Sequence, residues 1–249
     1  MKLIVTGATG FVGREIVRQS LARPEITSVV ALARSPVSVS EKQQQVVVAP
    51  PGSDVSSKLR SVVVDDYGAG AYTDAVRKEM AGAGACIWYD RGDNADQIEN
   101  ARFRICQARL PDVHARRPTS PFRFLYMSGA AAERDATKTP KFMPEYSLMR
   151  GETENQVLAL AKELNSEAKD TSSHVVEVGV AKPGYVTAPG AMSSMAMGAA
   201  VRLIPGFPSI SVVDLTAAML DQVISGFEKD TLLPEDLIRI AQGVPPNTA

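Results

Sequence analysis

The chain has 249 residues, with 27 Lys and Arg against 28 Asp and Glu for a formal charge of -1; that is length for one full doubly wound domain, without the charge footprint of a nucleic-acid binder or an acidic tail. Its two cysteines, Cys86 and Cys106, have neither disulfide-framework nor metal-ligand spacing, so they read as buried reduced thiols and no metal site is expected. No apolar run reaches the roughly 18 residues of a membrane span, and Leu3-Ile4-Val5 is too short for a signal peptide. The expectation is a cytoplasmic protein with a small-molecule substrate and neither a nucleic-acid nor a membrane partner.

Taken in order, a strand from Lys2 to Val5 runs into Thr6-Gly7-Ala8-Thr9-Gly10-Phe11-Val12-Gly13, and a helix pattern follows from Phe11 to Ala22 with Ile16, Val17 and Leu21 on one face. A glycine-rich turn between strand and helix is a dinucleotide cradle. Gly7 permits the tight turn, Gly10 lets the backbone approach the phosphates, and Gly13 lets the helix pack close to the strand. Gly7, Thr9, Gly10, Phe11, Val12 and Gly13 are therefore assigned to the cofactor. The second strand, Val29 to Ala33, ends at Arg34-Ser35, where NAD-preferring members of this fold carry an acidic residue about twenty positions past the glycines. A guanidinium and a hydroxyl suit a 2′-phosphate, so NADP(H) is preferred over NAD(H); the other reading of Arg34 is a solvated loop cation.

Residues 35 to 57 predict an excursion with one strand-like run at Val46–Val48. A third strand, Ser61 to Val64, leads into Asp65-Asp66. A helix from Tyr72 to Met80 precedes a fourth strand, Ala85 to Tyr89, after which come Asp90-Arg91-Gly92-Asp93-Asn94 and a helix pattern from Ala95 to Leu110. His114, in a proline-bounded loop, reads as exposed rather than as a base. The fifth strand, Phe122 to Met127, delivers Ser128-Gly129 to the carboxyl edge of the sheet, where doubly wound folds bind ligands. A long helix opens at Tyr146, with Val157, Leu158, Leu160 and Ala161 inward; Tyr146 and Arg150, four apart, share one face. Glu152 and Glu154 read as carboxylates of the helix N-terminal turn, with no chemical role. The sixth strand begins at Val175 and ends in the turn Lys182-Pro183-Gly184. Met192, Met195 and Met197 suit a substrate wall or, equally, a core or oligomer contact that would make a homodimer. Ser209 to Val213 leads to Asp214 as N-cap of a helix from Leu215 to Ile224, and a short helix ends at Ala241. This alternation predicts an α/β fold, a doubly wound parallel sheet of the Rossmann type, as one domain over 1–249, with about 185–209 and 228–249 as substrate-covering or capping segments.

The G-x-x-G-x-x-G string after an N-terminal strand resembles the short-chain dehydrogenase/reductase superfamily in its extended and atypical branches, which bind NAD(P). Phe122 to Gly129 and Arg150-Gly151-Glu152-Thr153-Glu154-Asn155 resemble most the atypical branch of NmrA-like regulators, Tat-interacting-protein-like proteins and small fungal oxidoreductases. The resemblance implies that Asp66 receives the adenine amino group and that backbone in Lys182-Pro183-Gly184 meets the carboxamide; the other readings are a loop carboxylate capping the next helix for Asp66 and a strand-end cation for Lys182. It also implies a catalytic set: Ser128 holds the substrate oxygen, Tyr146 is the general acid, and Arg150 stands where the family has lysine and holds the ribose. Arginine keeps the charge but does not relay a proton. The implied activity is NADP(H)-dependent reduction of a carbonyl or conjugated alkene of a small organic molecule, with a secondary-metabolite substrate suggested by the fungal relatives. The alternatives are an NmrA-like sensor that reads the dinucleotide without turnover, and an NAD(P)-dependent isomerase or epimerase.

Overall fold

The computed structural model describes residues 1–38, 55–64, 72–89, 121–141, 143–171, 175–188 and 208–245. In chain order these form β1 (Lys2–Thr6), α1 (Phe11–Ala22), β2 (Ser28–Ala33), a single 3₁₀ turn (Val55–Lys58), β3 (Leu59–Val63), α2 (Asp74–Met80) and β4 (Ala85–Trp88). Then follow β5 (Phe122–Met127), α3 (Pro144–Thr171), β6 (Val176–Ala181), β7 (Tyr185–Thr187), β8 (Ser209–Ser211), α4 (Val212–Ser225), β9 (Thr231–Leu232) and α5 (Pro234–Ala241). Seven strands make one sheet in the order β3-β2-β1-β4-β5-β6-β9, every neighbouring pair parallel. The expected doubly wound α/β fold is the observed one.

The strands read as nearly unbroken apolar runs because helices cover both faces of the sheet. Side chains alternate between two cores with period two. Leu3, Val5, Val29, Ala31, Ile87, Leu125 and Met127 pack beneath α1, α4 and α5. On the opposite face Ile4, Val30, Leu32, Trp88, Phe124, Tyr126 and Val180 pack with Val76 and Met80 of α2 and Val157, Leu160 and Leu164 of α3. Trp88 lies 5.1 Å from Tyr126 and 6.0 Å from Phe124 between ring centroids, so three cross-strand aromatics fill the second core. Cys86, buried in that core, is a free thiol.

The chain winds outward from β1 through β2 to β3, then returns to β4 on the other side of β1. That reversal opens a crevice beyond the carboxyl ends of β1 and β4, the ligand position in such sheets. Thr6 closes its floor: its hydroxyl accepts from the Tyr89 amide at 3.1 Å and lies 3.3 Å from the Tyr89 carbonyl.

Several boundaries differ from expectation, each for a local reason. The long helix begins at Pro144, where a proline suits the first turn, and Tyr146 is already inside it. Glu154, expected in the N-terminal turn, lies more than two turns into α3. The N-cap of α4 is Ser211, whose hydroxyl accepts from the Asp214 amide at 3.0 Å, so Asp214 is a first-turn carboxylate rather than the cap. Ser209–Ser211 pairs with Tyr185–Thr187 in a separate two-stranded ribbon. Thr231–Leu232 pairs along the edge of β6 in the main sheet, inside a segment expected to cover substrate or cap the fold, and α5 packs Leu237 and Ile240 into the first core. The strand-like run at 46–48, the helix over 95–110, Cys106, His114 and the three methionines at 192, 195 and 197 lie outside the described residues.

Candidate active site

The turn between β1 and α1 admits only glycine at two of its positions. Gly7 has φ +62°, and a Cβ there would lie 2.3 Å from the Tyr89 carbonyl oxygen. A Cβ on Gly13 would lie 2.1 Å from the Gly7 oxygen, which is how closely the first turn of α1 presses on the loop. Gly10 is the N-cap, with its amide donating to the Gly7 carbonyl at 2.9 Å, no side-chain cap, and no acidic residue in the first turn. The opening amides of a helix have no partner within it, and here neither a cap nor a carboxylate competes for them. A diphosphate is the ligand such a terminus accepts. The residues present fit a dinucleotide: Thr9 is half-buried at the turn, Phe11 is exposed, and Val12 and Gly13 are buried against the strand.

Beside the loop lies a cavity of about 200 Å³ lined by Ala8, Thr9, Arg14, Val17, Arg18 and Pro36 to Ser38. Arg18 is engaged by Glu15, whose carboxyl its guanidinium holds below the usual range against the opposing effect of partial burial. The Arg14 guanidinium makes no hydrogen bond or ion pair with a described residue. Arg34 and Ser35 are exposed at the end of β2 and do not line this cavity. Sequence reading missed Arg14; the available signal was a basic residue directly after Gly13, on the turn of α1 nearest the end of β2. Asp66 and the stretch 90–94 lie outside the described residues.

A second cavity, of about 480 Å³, opens at the carboxyl ends of β4, β5 and β6 and gathers residues from four separate segments. Ser128 and Gly129 come from the end of β5, Met143, Tyr146 and Arg150 from α3 and its entry, Pro183 and Gly184 from the turn after β6, and Tyr89 from the end of β4. The predicted trio of Ser128, Tyr146 and Arg150 is thus brought together. Tyr89 touches both regions, since its ring also sits 3.3 Å from where Cβ atoms at Gly7 and Gly10 would be. Arg150 is buried, donates from Nη2 to the Met127 carbonyl at 2.9 Å, and lies 5.2 Å from the Tyr126 ring centroid and 5.7 Å from that of Tyr146. Burial pushes the Tyr126 phenol up to about 12, with the neighbouring Arg150 charge acting the other way. Met143 enters the cavity mouth with φ 42°, a left-handed conformation uncommon for a side chain of its size.

Behind this cavity is a residue that sequence reading set aside. Glu154 is fully buried and takes three partners: Ser128 Oγ donates to Oε1 at 2.5 Å, while Arg134 Nε at 2.6 Å and Lys182 Nζ at 3.1 Å reach Oε2. Lys182 also donates to the Ala132 carbonyl at 2.8 Å, and Arg134 to Thr231 Oγ1 at 2.9 Å. One carboxylate therefore ties α3 to the loop after β5, to β6 and to the edge strand. Gly151 allows the approach, because a Cβ there would lie 1.7 Å from the Glu133 carbonyl. Lys182, expected at the cofactor, spends its charge on Glu154; Pro183 and Gly184 remain at the cavity wall. The signal for Glu154 was its eight-residue offset from Tyr146 on one long helix, which fixes a common side of the rod.

No protein-family model and no curated protein matches the chain. Solved structures do share its fold. Yeast methylglyoxal/isovaleraldehyde reductase Gre2 complexed with NADPH is 16% identical at a TM-score of 0.56, over 89% of this chain and 74% of that one. Vestitone reductase from alfalfa is 16% identical at 0.57, over 89% and 72%. A putative epimerase from Burkholderia cenocepacia is 18% identical at 0.58, over 98% and 82%. The chain thus has the Rossmann-type fold of this group of reductases and epimerases, in line with the resemblance read from its glycine loop. Among the described residues no helix is long and apolar enough to cross a membrane, and no cluster of His, Cys, Asp and Glu could hold a metal.

Proposed function

We propose that the protein is an NADP(H)-dependent oxidoreductase of the short-chain dehydrogenase/reductase type that reduces a carbonyl or conjugated alkene of a small organic molecule. The observation that carries this is the meeting of Tyr146, Arg150 and Ser128 in one cavity that shares Tyr89 with an uncapped, glycine-lined helix terminus. The reductases with which the chain shares its fold, one of them complexed with NADPH, support the same class. In this reading Phe11, Val12 and Gly13 offer amides to the diphosphate, Arg14, Arg34 and Ser35 surround a 2′-phosphate, and Pro183-Gly184 borders the nicotinamide.

When bound, the dinucleotide supplies the hydride that the substrate carbon receives. The chain's own part is to deliver a proton and hold geometry. Tyr146 donates its phenolic proton to the substrate oxygen and recovers one from solvent, so that a ketone gains hydride and proton to become an alcohol. Arg150, pinned by the Met127 carbonyl and packed over two tyrosine rings, places a fixed positive charge beside that phenol. Tyr89, Met127, Met143 and Val186 give the remaining wall an apolar, partly aromatic character, which suits a flat hydrophobic substrate.

A second reading has one observation in its favour. Arg150 is buried with Nη2 committed to the Met127 carbonyl, an arrangement equally at home in a sensor that binds the dinucleotide without turnover. Loss of reduced-nicotinamide absorbance across a panel of ketones, aldehydes and enones separates the two. The reductase consumes the nucleotide with at least one member, and Tyr146→Phe lowers that turnover by roughly 100-fold or more with unchanged nucleotide affinity. Nucleotide binding without consumption across the panel supports the sensor.

A further inference from the structure

A hydroxyl has one proton to give. Ser128 gives its proton to Glu154, whose other oxygen faces Arg134 and Lys182, and a carboxylate held between two cations accepts only. The Ser128 amide is also committed, to the Ala181 carbonyl at 2.8 Å. What Ser128 can present to the cavity is an oxygen lone pair. The neighbouring position, which could have carried a second hydroxyl, is Gly129, and a Cβ built there meets nothing within 4 Å. Of the described hydroxyls lining the cavity, Tyr89 lies along the glycine loop, which leaves Tyr146 as the donor beside Arg150.

We propose that Ser128 meets the substrate as a hydrogen-bond acceptor, and that the cavity therefore selects carbonyl compounds bearing a hydroxyl next to the reacting carbon: α-hydroxy ketones, with vicinal diols as their reduced partners. Such a substrate uses its carbonyl oxygen on the Tyr146 hydroxyl and its own O–H on Ser128, so every polar group in the pair is matched. A plain ketone leaves the Ser128 lone pair facing an apolar group, and a methoxy ketone sets one acceptor against another. The proposal rests on the reductase reading for the role of Tyr146, but the hydrogen-bond inventory of the described residues lining the cavity stands without it.

The test is binding, measured by ligand-observed NMR with 2-hydroxyacetophenone, 2-methoxyacetophenone and acetophenone, on the protein alone and with oxidised NADP present. The hydroxy ketone is expected to bind roughly three- to tenfold more tightly than either analogue, the worth of one neutral hydrogen bond. Gly129→Ser, which places a free hydroxyl in open space, should improve acetophenone binding and narrow the gap. Equal affinities across the series in the wild type, or no binding of the hydroxy ketone in either state, overturn the proposal. Failure of the reductase reading shows separately, as absence of heat on titration with the dinucleotide while the ketone ranking persists.

Discussion

Replacing Glu154 with alanine strips three partners at once and leaves two cations facing each other across the vacated space. Glu154 is fully buried, the Lys182 side chain is 11% exposed and that of Arg134 is 31% exposed. Breaking a buried pair costs about 3 to 5 kcal/mol because the remaining charge is stranded. Arg134, the more exposed partner, rehydrates in part and keeps its bond to Thr231, so the lower end of that range applies. For a chain of this length each kcal/mol moves the melting temperature by about 2 to 4 °C, which puts the Glu154→Ala shift at roughly 6 to 12 °C downward. Glu154→Gln keeps the volume and an acceptor for Ser128 while removing the charge, and should fall between. Thermal unfolding followed by circular dichroism, with urea titration as a check, measures both. A loss of less than about 1 kcal/mol for Glu154→Ala would refute the view that this carboxylate holds the site together.

Two further outcomes follow from named groups. Tyr126 holds its proton more tightly when folded than its ordinary value of 10.0 allows, with its phenol raised to about 12. Its contribution, about 3 kcal/mol by the size of the shift, is whole below pH 10 and is lost as pH rises through 12. Spectrophotometric titration should show one tyrosine that ionises only with unfolding, and Tyr126→Phe should flatten the alkaline fall in stability; ionisation of every tyrosine near pH 10 in the folded protein would contradict this. For the 2′-phosphate, Arg14→Ala should weaken NADPH roughly tenfold or more while sparing NADH, and Arg34→Ala should do so less, since Arg14 lines the cavity and Arg34 does not. Equal losses for both nucleotides, measured by calorimetry, would remove phosphate recognition from Arg14.

How much of this was legible beforehand depended on whether the information was local. Gly7, Gly10 and Gly13 announce their turn because only glycine meets its steric demands, and the apolar runs of β1, β2, β4, β5 and β6 announce a sheet covered on both faces. Ser128, Tyr146 and Arg150 could be placed together because the short-chain dehydrogenase/reductase resemblance implies a serine at the end of the fifth strand and a tyrosine and a cation four apart on the helix that follows. Glu154 was illegible in its role because two of its partners, Arg134 and Lys182, come from segments distant in the chain, and a carboxylate toward the start of a helix reads as a solvated or dipole-complementing charge. Thr231–Leu232 gave no strand signal either. Two residues carry too little periodicity, and their pairing with β6 is decided by the packing of α4 and α5 around them. Arg14 is exposed on α1, and its side chain matters through a cavity built with residues 36–38, which sequence spacing alone does not bring to it.

The most direct measurement is a calorimetric titration of the purified protein with NADPH, run in parallel on Gly13→Ala. The added methyl of that variant would stand 2.1 Å from the Gly7 oxygen and must push α1 off the loop. Saturable binding well below millimolar concentration in the wild type, weakened by at least tenfold in the variant, is the result expected of a diphosphate seated on that helix terminus. Absence of binding to the wild type at millimolar NADPH, or identical binding by the two proteins, would contradict it.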